Sequence, residues 1–405
     1  MYSRLVNSKL LLLGLLILVA CVSCIETYDF SSEIENEESI MVVEAIITNE
    51  IKNQEVILTK SFALDTLLYV PEKGAEVTVV DELQNEYQFF EVEDGVYQSF
   101  NKFQAVGDRN YKLNIKTRNG KEYVSTSEYL TKETKIDSLY AVRDFNENNE
   151  EGVSIYVDSY DATHSSNFYR FEYIEAYKII APKWVGDDMF CVPVYFQGNY
   201  IGDEFVFEPR PYDQLICYGE DKLDKIVQTN TNSLQEDRLD KHRVRFVNRN
   251  DYKLSYRYTI EVKQYVQSLA AYSYYETLNK VSSSESILSQ TQTGFIESNI
   301  SLKKNDSYEK VLGFFEVCSV DSKRIFLNYD DLFLGEQLPP YAVNCVPFNP
   351  RPEGLCDALR YNGKKYYDDH IPVYPLVESH VLLVERACGD CTALGETSPP
   401  DYWID

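Results

Sequence analysis

From Ile40 onward, apolar and polar residues alternate with a period of two, the mark of strands that bury one face. "IMVVEAIITN" and "QEVILTKSF" open the series, and "AEVTVVDELQNEYQFFEV" reads as a hairpin turning near Gln84-Asn85. "DGVYQSF" and "YKLNIKTRNGKEYVST" follow, with Asp94-Gly95 and Asn119-Gly120 as hairpin-turn dipeptides. Short strands at this regular spacing predict a small immunoglobulin-like or transthyretin-like β-sandwich over residues 40–130. Strand character resumes at Ile136 in "KIDSLYAV", "GVSIYVDSYD", "NFYRFEYIEAYKII" and "YRYTIEVKQY". Between Trp184 and Arg243 the alternation weakens, which predicts long irregular connections carrying many acidic residues and several aromatics. "SLAAYSYYETLNK" predicts a helix over Ser268 to Lys280, with Ser268 as N-cap and Leu269, Ala271, Tyr275 and Leu278 as one apolar stripe. "VLGFFEVCSVDSKRIFLN" is again a strand, and the tail from Leu338 to Asp405 is rich in proline and holds four cysteines. The fold class is therefore mainly β: the sandwich, then a larger β-rich domain over residues 131–405 with one or two short helices, long loops and a cysteine-containing tail.

Upstream of Ile40 the pattern is different. Met1 to Lys9 carries Arg4 and Lys9, and Leu10 to Ala20 is an apolar run with a single Gly14. That run is well short of the ~20 residues a permanent membrane-spanning helix needs, so it predicts an export signal. It ends in "LVACVSCIETYDF", where small residues directly precede a cysteine, the form taken by lipoprotein signals. The thiol takes a diacylglycerol, and at ~0.8 kcal/mol per buried methylene two or three chains hold a protein on a membrane. Leu18-Val19-Ala20 makes Cys21 the better match, and Val22-Ser23 makes Cys24 the alternative. Ile25 to Ser39 has neither helical nor strand periodicity and reads as an acidic tether.

Charge narrows the partners. With 39 basic and 65 acidic residues the net charge is −26, which repels phosphate backbones and anionic headgroups, so no nucleic-acid partner is expected. The 33 tyrosines suit both pleated sheets and wet binding surfaces.

Nine cysteines fit an exported chain with disulfides better than a reducing cytosol. Cys191 and Cys217 are placed to tie the weak-pattern insertion together, a closure worth ~3 kcal/mol in the chain-entropy model. Cys345, Cys356, Cys388 and Cys391 offer two further disulfides, favoured over a four-thiolate zinc site or redox chemistry at the Cys388-Gly389-Asp390-Cys391 motif. Cys318 is then the odd thiol, buried in its strand.

Catalytic constellations are scarce. His164, His242, His370 and His380 form no HExxH, and no GxSxG or GxxxxGK[ST] occurs. Asp368-Asp369-His370 holds hard-metal donors, yet it reads more simply as a solvated turn. No catalytic residue, metal or cofactor is assigned, and no enzymatic activity is expected.

Several segments taken in order, "SCIETYDF", "IMVVEAIITNE" with "VILTKSF", "GAEVTVVD", "YTIEVKQY", "GFFEVCSVDSKRIFL" and "CGDCTALGETSPPDYW", resemble the Bacteroidota outer-membrane lipoproteins grouped as domain of unknown function 4249 (DUF4249). The resemblance implies a surface-exposed, lipid-anchored accessory or ligand-binding subunit whose partner is a TonB-dependent receptor in nutrient uptake. It implies no catalytic residue. It also implies a lipid cysteine directly before an acidic-aromatic segment, which moves the preference from Cys21 to Cys24 and gives a signal over 1–23 and a tether over 24–39. Cys21 and Cys318 depart from the family pattern. An envelope hydrolase and a structural adhesin are the alternative readings.

Overall fold

The computed structural model describes residues 40–61, 69–223, 225–283, 297–303, 311–367 and 381–405. The signal, Cys21, Cys24, the tether, Asp368-Asp369-His370 and His380 lie outside them.

The first part of the chain forms β1 (Ile40–Thr48), β2 (Glu55–Ser61), β3 (Tyr69–Pro71), β4 (Glu76–Asp81), β5 (Glu86–Glu93), β6 (Val96–Ser99), β7 (Asn110–Lys116), β8 (Glu122–Ser125) and β9 (Glu128–Tyr129). The second forms β10 (Ile136–Phe145), β11 (Glu151–Asp161), β12 (Phe168–Ile180), β13 (Asp187–Phe196), β14 (Asn199–Pro209), β15 (Ile216–Lys222), β16 (Val227–Asn230), β17 (Asp237–Asn248) and β18 (Arg257–Val266). Helix α1 (Leu269–Ser283) follows, then β19 (Ile300–Leu302) and the long β20 (Val311–Asn328). The tail adds α2 (Tyr329–Leu332), α3 (Pro352–Arg360), β21 (Lys365–Tyr366), β22 (Leu383–Val384) and α4 (Arg386–Gly389). The protein is mainly β, as its alternation predicts.

One hydrogen-bonded path runs β15-β12-β18-β20-β1-β2-β6-β5-β4-β7-β8-β19. Within it β1 and β20 are parallel, from Met41 opposite Val311 to Thr48 opposite Cys318. Beyond that point β20 pairs instead with β18, antiparallel, from Ser319 opposite Val266 to Asn328 opposite Arg257. At the changeover Thr131 Oγ1 donates to the Val266 carbonyl (2.7 Å) and accepts from the Ser319 amide (2.9 Å). Asn49 Oδ1 takes the Val320 amide at 2.8 Å, so the ladder group left by the departing β1 is satisfied.

Two main cores result. Met41, Val43, Ala45 and Ile47 project inward at every second position of β1 and meet Val56, Leu58, Val77, Val79, Leu113 and Ile115. This first core is not confined to residues 40–130: Ile300, Val311, Phe315 and Val317 complete it. The curled sheet brings β19 near β20 without a closing backbone ladder among the described residues. Asn299 bridges the gap, its Oδ1 accepting from the Phe315 amide (2.8 Å) and its Nδ2 donating to the Phe315 carbonyl (2.9 Å). Gly313 sits opposite Val43 at φ +134°, and a Cβ there would lie 2.1 Å from the Val43 carbonyl oxygen. The second core packs the three-stranded β10-β11-β17 sheet onto β12, β18 and β20, through Ile155, Val157, Phe171, Ile260 and Val262.

The stretch from Trp184 to Arg243 corrects its expectation. It holds the β13–β14 hairpin, which is a separate two-stranded sheet, together with β15, β16 and the start of β17. Much of this hairpin is exposed on both faces, so burial does not impose the alternation that marks the core strands.

Phe315 has no exposed surface, so Phe315→Ala is expected to cost about 3–5 kcal/mol. Because β20 serves both cores, urea denaturation should lower the far-UV and near-UV midpoints together. An unchanged midpoint would refute the shared role.

Candidate binding groove

The tail folds back over the second core and builds a groove there. Its floor is the end of β12 (Lys178, Ile179, Ile180) and Pro182, and its wall is the irregular segment from Gln337 to Cys345. The groove has a volume of about 700 Å³ and is open to solvent along its length. Asp251 caps the short turn Tyr252–Leu254 by accepting from the Lys253 amide (3.1 Å), which presents Tyr252, Ser255 and Tyr256 to the groove. Across from them stand Pro339, Pro340 and Tyr341. Tyr252 lies edge-on to Tyr341 at 6.3 Å and edge-on to Tyr177 at 5.6 Å. The Tyr341 hydroxyl donates to the Ala387 carbonyl at 2.9 Å, tying the wall to α4.

Behind the tyrosines lies a charged cluster that fixes them. Tyr177 donates to Asp221 (3.1 Å) and meets the Tyr252 hydroxyl at 3.3 Å. Lys253 joins Asp221 (2.7 Å) to the buried Glu175 (3.0 Å), which also receives Arg245 and the Tyr258 hydroxyl at 2.7 Å. Burial works against the Glu175 carboxylate, but Arg245, Tyr258 and Lys253 together hold it below the ordinary carboxyl range. Burial, then Tyr252 and Asp221, push the Tyr177 phenol up, so it stays a neutral donor.

On the other side of Gln337 to Pro340 lies a second hollow of about 700 Å³, lined by Glu150, Glu151, Asn248, Arg249 and Asn250. It is polar where the first is aromatic. Arg143 and Arg249 stack on the Phe333 ring at 4.7 and 5.3 Å and both pair with Glu151. Their hydrogen bonds, Arg249 first, keep Glu151 ionised below its usual range.

The six candidate cysteines all lie in disulfides, and of these only the Cys345–Cys388 bond keeps to the expected groupings. Cys191 pairs with Cys356, Cys217 with Cys391, and Cys345 with Cys388. The expected Cys191–Cys217 closure does not form. Cys191 sits on the separate β13–β14 sheet and Cys217 on the main one, and each faces a different part of the tail. Likewise only one of the two disulfides expected within the tail exists, because Cys356 and Cys391 are taken by the strands beneath them. Cys318 is free and buried.

Among the described residues, Cys191, Cys356 and Asp203 form one grouping with metal-ligand spacing. Two of these are the disulfide itself, and Asp203 is held by Arg360 and the Tyr200 hydroxyl. His242 stacks on Phe171 at 5.0 Å and burial pushes its imidazole down; His164 is exposed. Sequence reasoning missed the groove and the hairpin. Gln197-Gly198, between two apolar-aromatic runs, was the signal for the hairpin.

These features define a β-rich, disulfide-stapled protein with an open, tyrosine-lined groove. Residues 27–324 match the family described as Domain of unknown function (DUF4249), and the chain belongs to that family. The match covers the groove floor and ends within β20, before the wall and before the tail segment "CGDCTALGETSPPDYW". No curated protein matches the chain. A solved structure of a DUF4785 family protein from Legionella pneumophila is 9% identical, with a TM-score of 0.18. The likeness covers 51% of this chain and about half (56%) of that one, and it carries no functional argument.

Cys345 and Cys388 close a loop at a sequence separation of 43. Replacing both by serine is expected to cost about 4 kcal/mol in the chain-entropy model and to free the wall, read as faster amide exchange over residues 337–345. Glu175 gives a pH dependence of defined sign. Its folded pKa is depressed, so its stabilisation is complete above the ordinary value of 4.5 and is lost as pH falls through the lower folded value. Thermal melts from pH 7 to pH 3 should show this loss, and Glu175→Gln should be less stable at pH 7 with a flatter acid limb.

Proposed function

We propose that the protein is a lipoprotein anchored in the outer membrane through Cys24, exposed at the cell surface, and acting as a ligand-binding accessory subunit beside a TonB-dependent receptor. The observation that carries the binding role is the groove: an open trough faced by Tyr252, Tyr256 and Tyr341, with its wall pinned by a disulfide. Tyrosine gives apolar contact area with a polar tip at little cost in side-chain entropy, which suits capture of a solvated ligand. The anchor rests on the apolar run that ends in Leu18 to Cys24. Three disulfides suit the oxidising side of a bacterial inner membrane.

A hydrolase reading would need one carboxyl kept protonated near another. Of the two carboxylates lining the polar hollow, Glu150 and Glu151, the second is paired with Arg143 and Arg249 and held ionised, and the aromatic groove is lined by no carboxylate among the described residues. This favours binding over glycan cleavage. An adhesin would work through cell-to-cell or matrix contacts, to which no particular surface here points.

Metabolic palmitate labelling tests the anchor. Label is expected in Cys21→Ala and absent from Cys24→Ala; label surviving in Cys24→Ala would move the anchor to Cys21. Purified from membranes in mild detergent, the lipidated protein is expected to carry a TonB-dependent receptor. Repeated preparations with the lipid intact and no receptor would overturn the transport role.

A further inference from the structure

The β13–β14 hairpin ends in a stretch that differs from the rest of this acidic chain. From Met189 to Gly202 there is no charged residue, in a protein whose residues are 26% charged. Gln197 (φ 47°) and Gly198 (φ 84°) make the left-handed pair that a two-residue hairpin turn requires. Around that turn Tyr195, Phe196, Tyr200 and Ile201 are 63%, 62%, 57% and 63% exposed. Lower on β13, Phe190 and Val192 are exposed as well.

Neighbouring strand residues point to opposite faces, so Tyr195 and Phe196, in unbroken register with Tyr200 and Asn199, present their rings to opposite sides. A partner protein docking on a flat hairpin covers one face. A tip apolar on both faces suits a medium that surrounds it. The base, by contrast, is fixed and polar: Cys191 is bonded to Cys356, Arg360 Nε donates to the Cys191 carbonyl at 2.7 Å, and Arg360 pairs with Asp203. Tyr195 and Tyr200 lie edge-on at 6.0 Å across the strands, and the Tyr200 hydroxyl donates to Asp203 at 2.9 Å.

We propose that this tip is a membrane-contact finger, seated in the headgroup–acyl boundary of a zwitterionic phospholipid bilayer. It gives the lipid-anchored chain a second point of attachment, and in that respect the inference rests on the anchor proposed above and not on the leaflet that holds it. Aromatic rings with polar tips favour that boundary, and the unpaired backbone groups at the hairpin edges prevent deeper entry. Asp187, Asp188, Asp203 and Glu204 flank the tip, so anionic lipid is disfavoured.

The lengths agree. The chain enters β1 beside the Val311 end of β20, and β12 delivers the hairpin toward the Asn328 end. Eighteen residues of strand span about 60 Å. Fifteen residues, Ile25 to Ser39, separate Cys24 from Ile40, and this stretch reaches at most about 55 Å. The body can therefore lie along the bilayer with both ends in contact.

The test uses the full-length lipidated protein on phosphatidylcholine vesicles brominated in the acyl chains, with Tyr195→Trp and Phe196→Trp as reporters on the two faces. Phe100→Trp, at an exposed site in the first part of the chain, is the control, and the unsubstituted protein gives the background of Trp184 and Trp403. Both reporters are expected to lose roughly half their emission and shift to shorter wavelength, independent of salt, while Trp at 100 is unaffected. Quenching of one reporter only, or of neither, overturns the finger. So does protection that arises only when a receptor is added or when protein concentration is raised.

Flotation of the same vesicles with Cys21→Ala/Cys24→Ala reports the anchor separately. Quenching of that variant at saturating vesicles supports the finger even if the lipid reading fails. Vesicle-bound lipidated protein with unquenched reporters sinks the finger and leaves the anchor standing.

Discussion

The structure depends on a single strand being shared by two cores. β20 gives its first half to β1 along one edge and its second half to β18 along the other. Phe315 and Val317 therefore finish the first core while Leu327 belongs to the second. Where the neighbours change, no continuous ladder covers both edges, and side chains substitute for backbone: Thr131 and Asn49 on one reach, Asn299 on the other. The arrangement leaves no tolerance for bulk at Gly313, where β1 passes in contact with the backbone.

The seam also holds a buried ion pair. Arg170 of β12 lies 3.6 Å from Glu316 of β20 and stacks on Tyr265 and on Tyr275 of α1 at 4.4 and 4.9 Å. Burial raises the Glu316 carboxyl, and Arg170 and a hydrogen bond from Gln267 (3.1 Å) offset part of that cost. Such a pair adds little net stability over an apolar equivalent, but removing one member strands the other. Here it fixes how α1 and β12 sit against the shared strand. Cys318, beside it and sealed by Tyr265 and Val320, is a packing residue with its thiol pushed up by burial.

Much of this was legible in the sequence where burial imposes a period. The string "VLGFFEVCSVDSKRIFLN" is β20 from end to end. Ser268 caps α1 through a 3.1 Å bond from the Ala271 amide. Gln84-Asn85, Asp94-Gly95 and Asn119-Gly120 all lie at or within hairpin turns. What was not legible depends on contacts distant along the chain. Parallel pairing of β1 with β20, the disulfide partners, and the groove wall join segments that no local pattern relates. The β13–β14 hairpin was hidden because both of its faces are partly exposed, which blunts the alternation that betrays other strands. The groove tyrosines sit in a turn and an irregular segment, where side-chain identity says little about what it will face.

The parallel contact also sets an order of assembly. Residues 49–310 separate the end of β1 from the start of its partner strand. Whether it emerges from a ribosome or from an export channel, the chain delivers its first nine strands before the segment that seals them. Throughout that interval β1 has an open edge, and the hydrophobic interior lacks Phe315 and Val317. Open strand edges recruit other strands, including those of sister chains. The nascent first half is accordingly the stage at which the protein is most exposed to mispairing, and its maturation is governed by the arrival of one late strand.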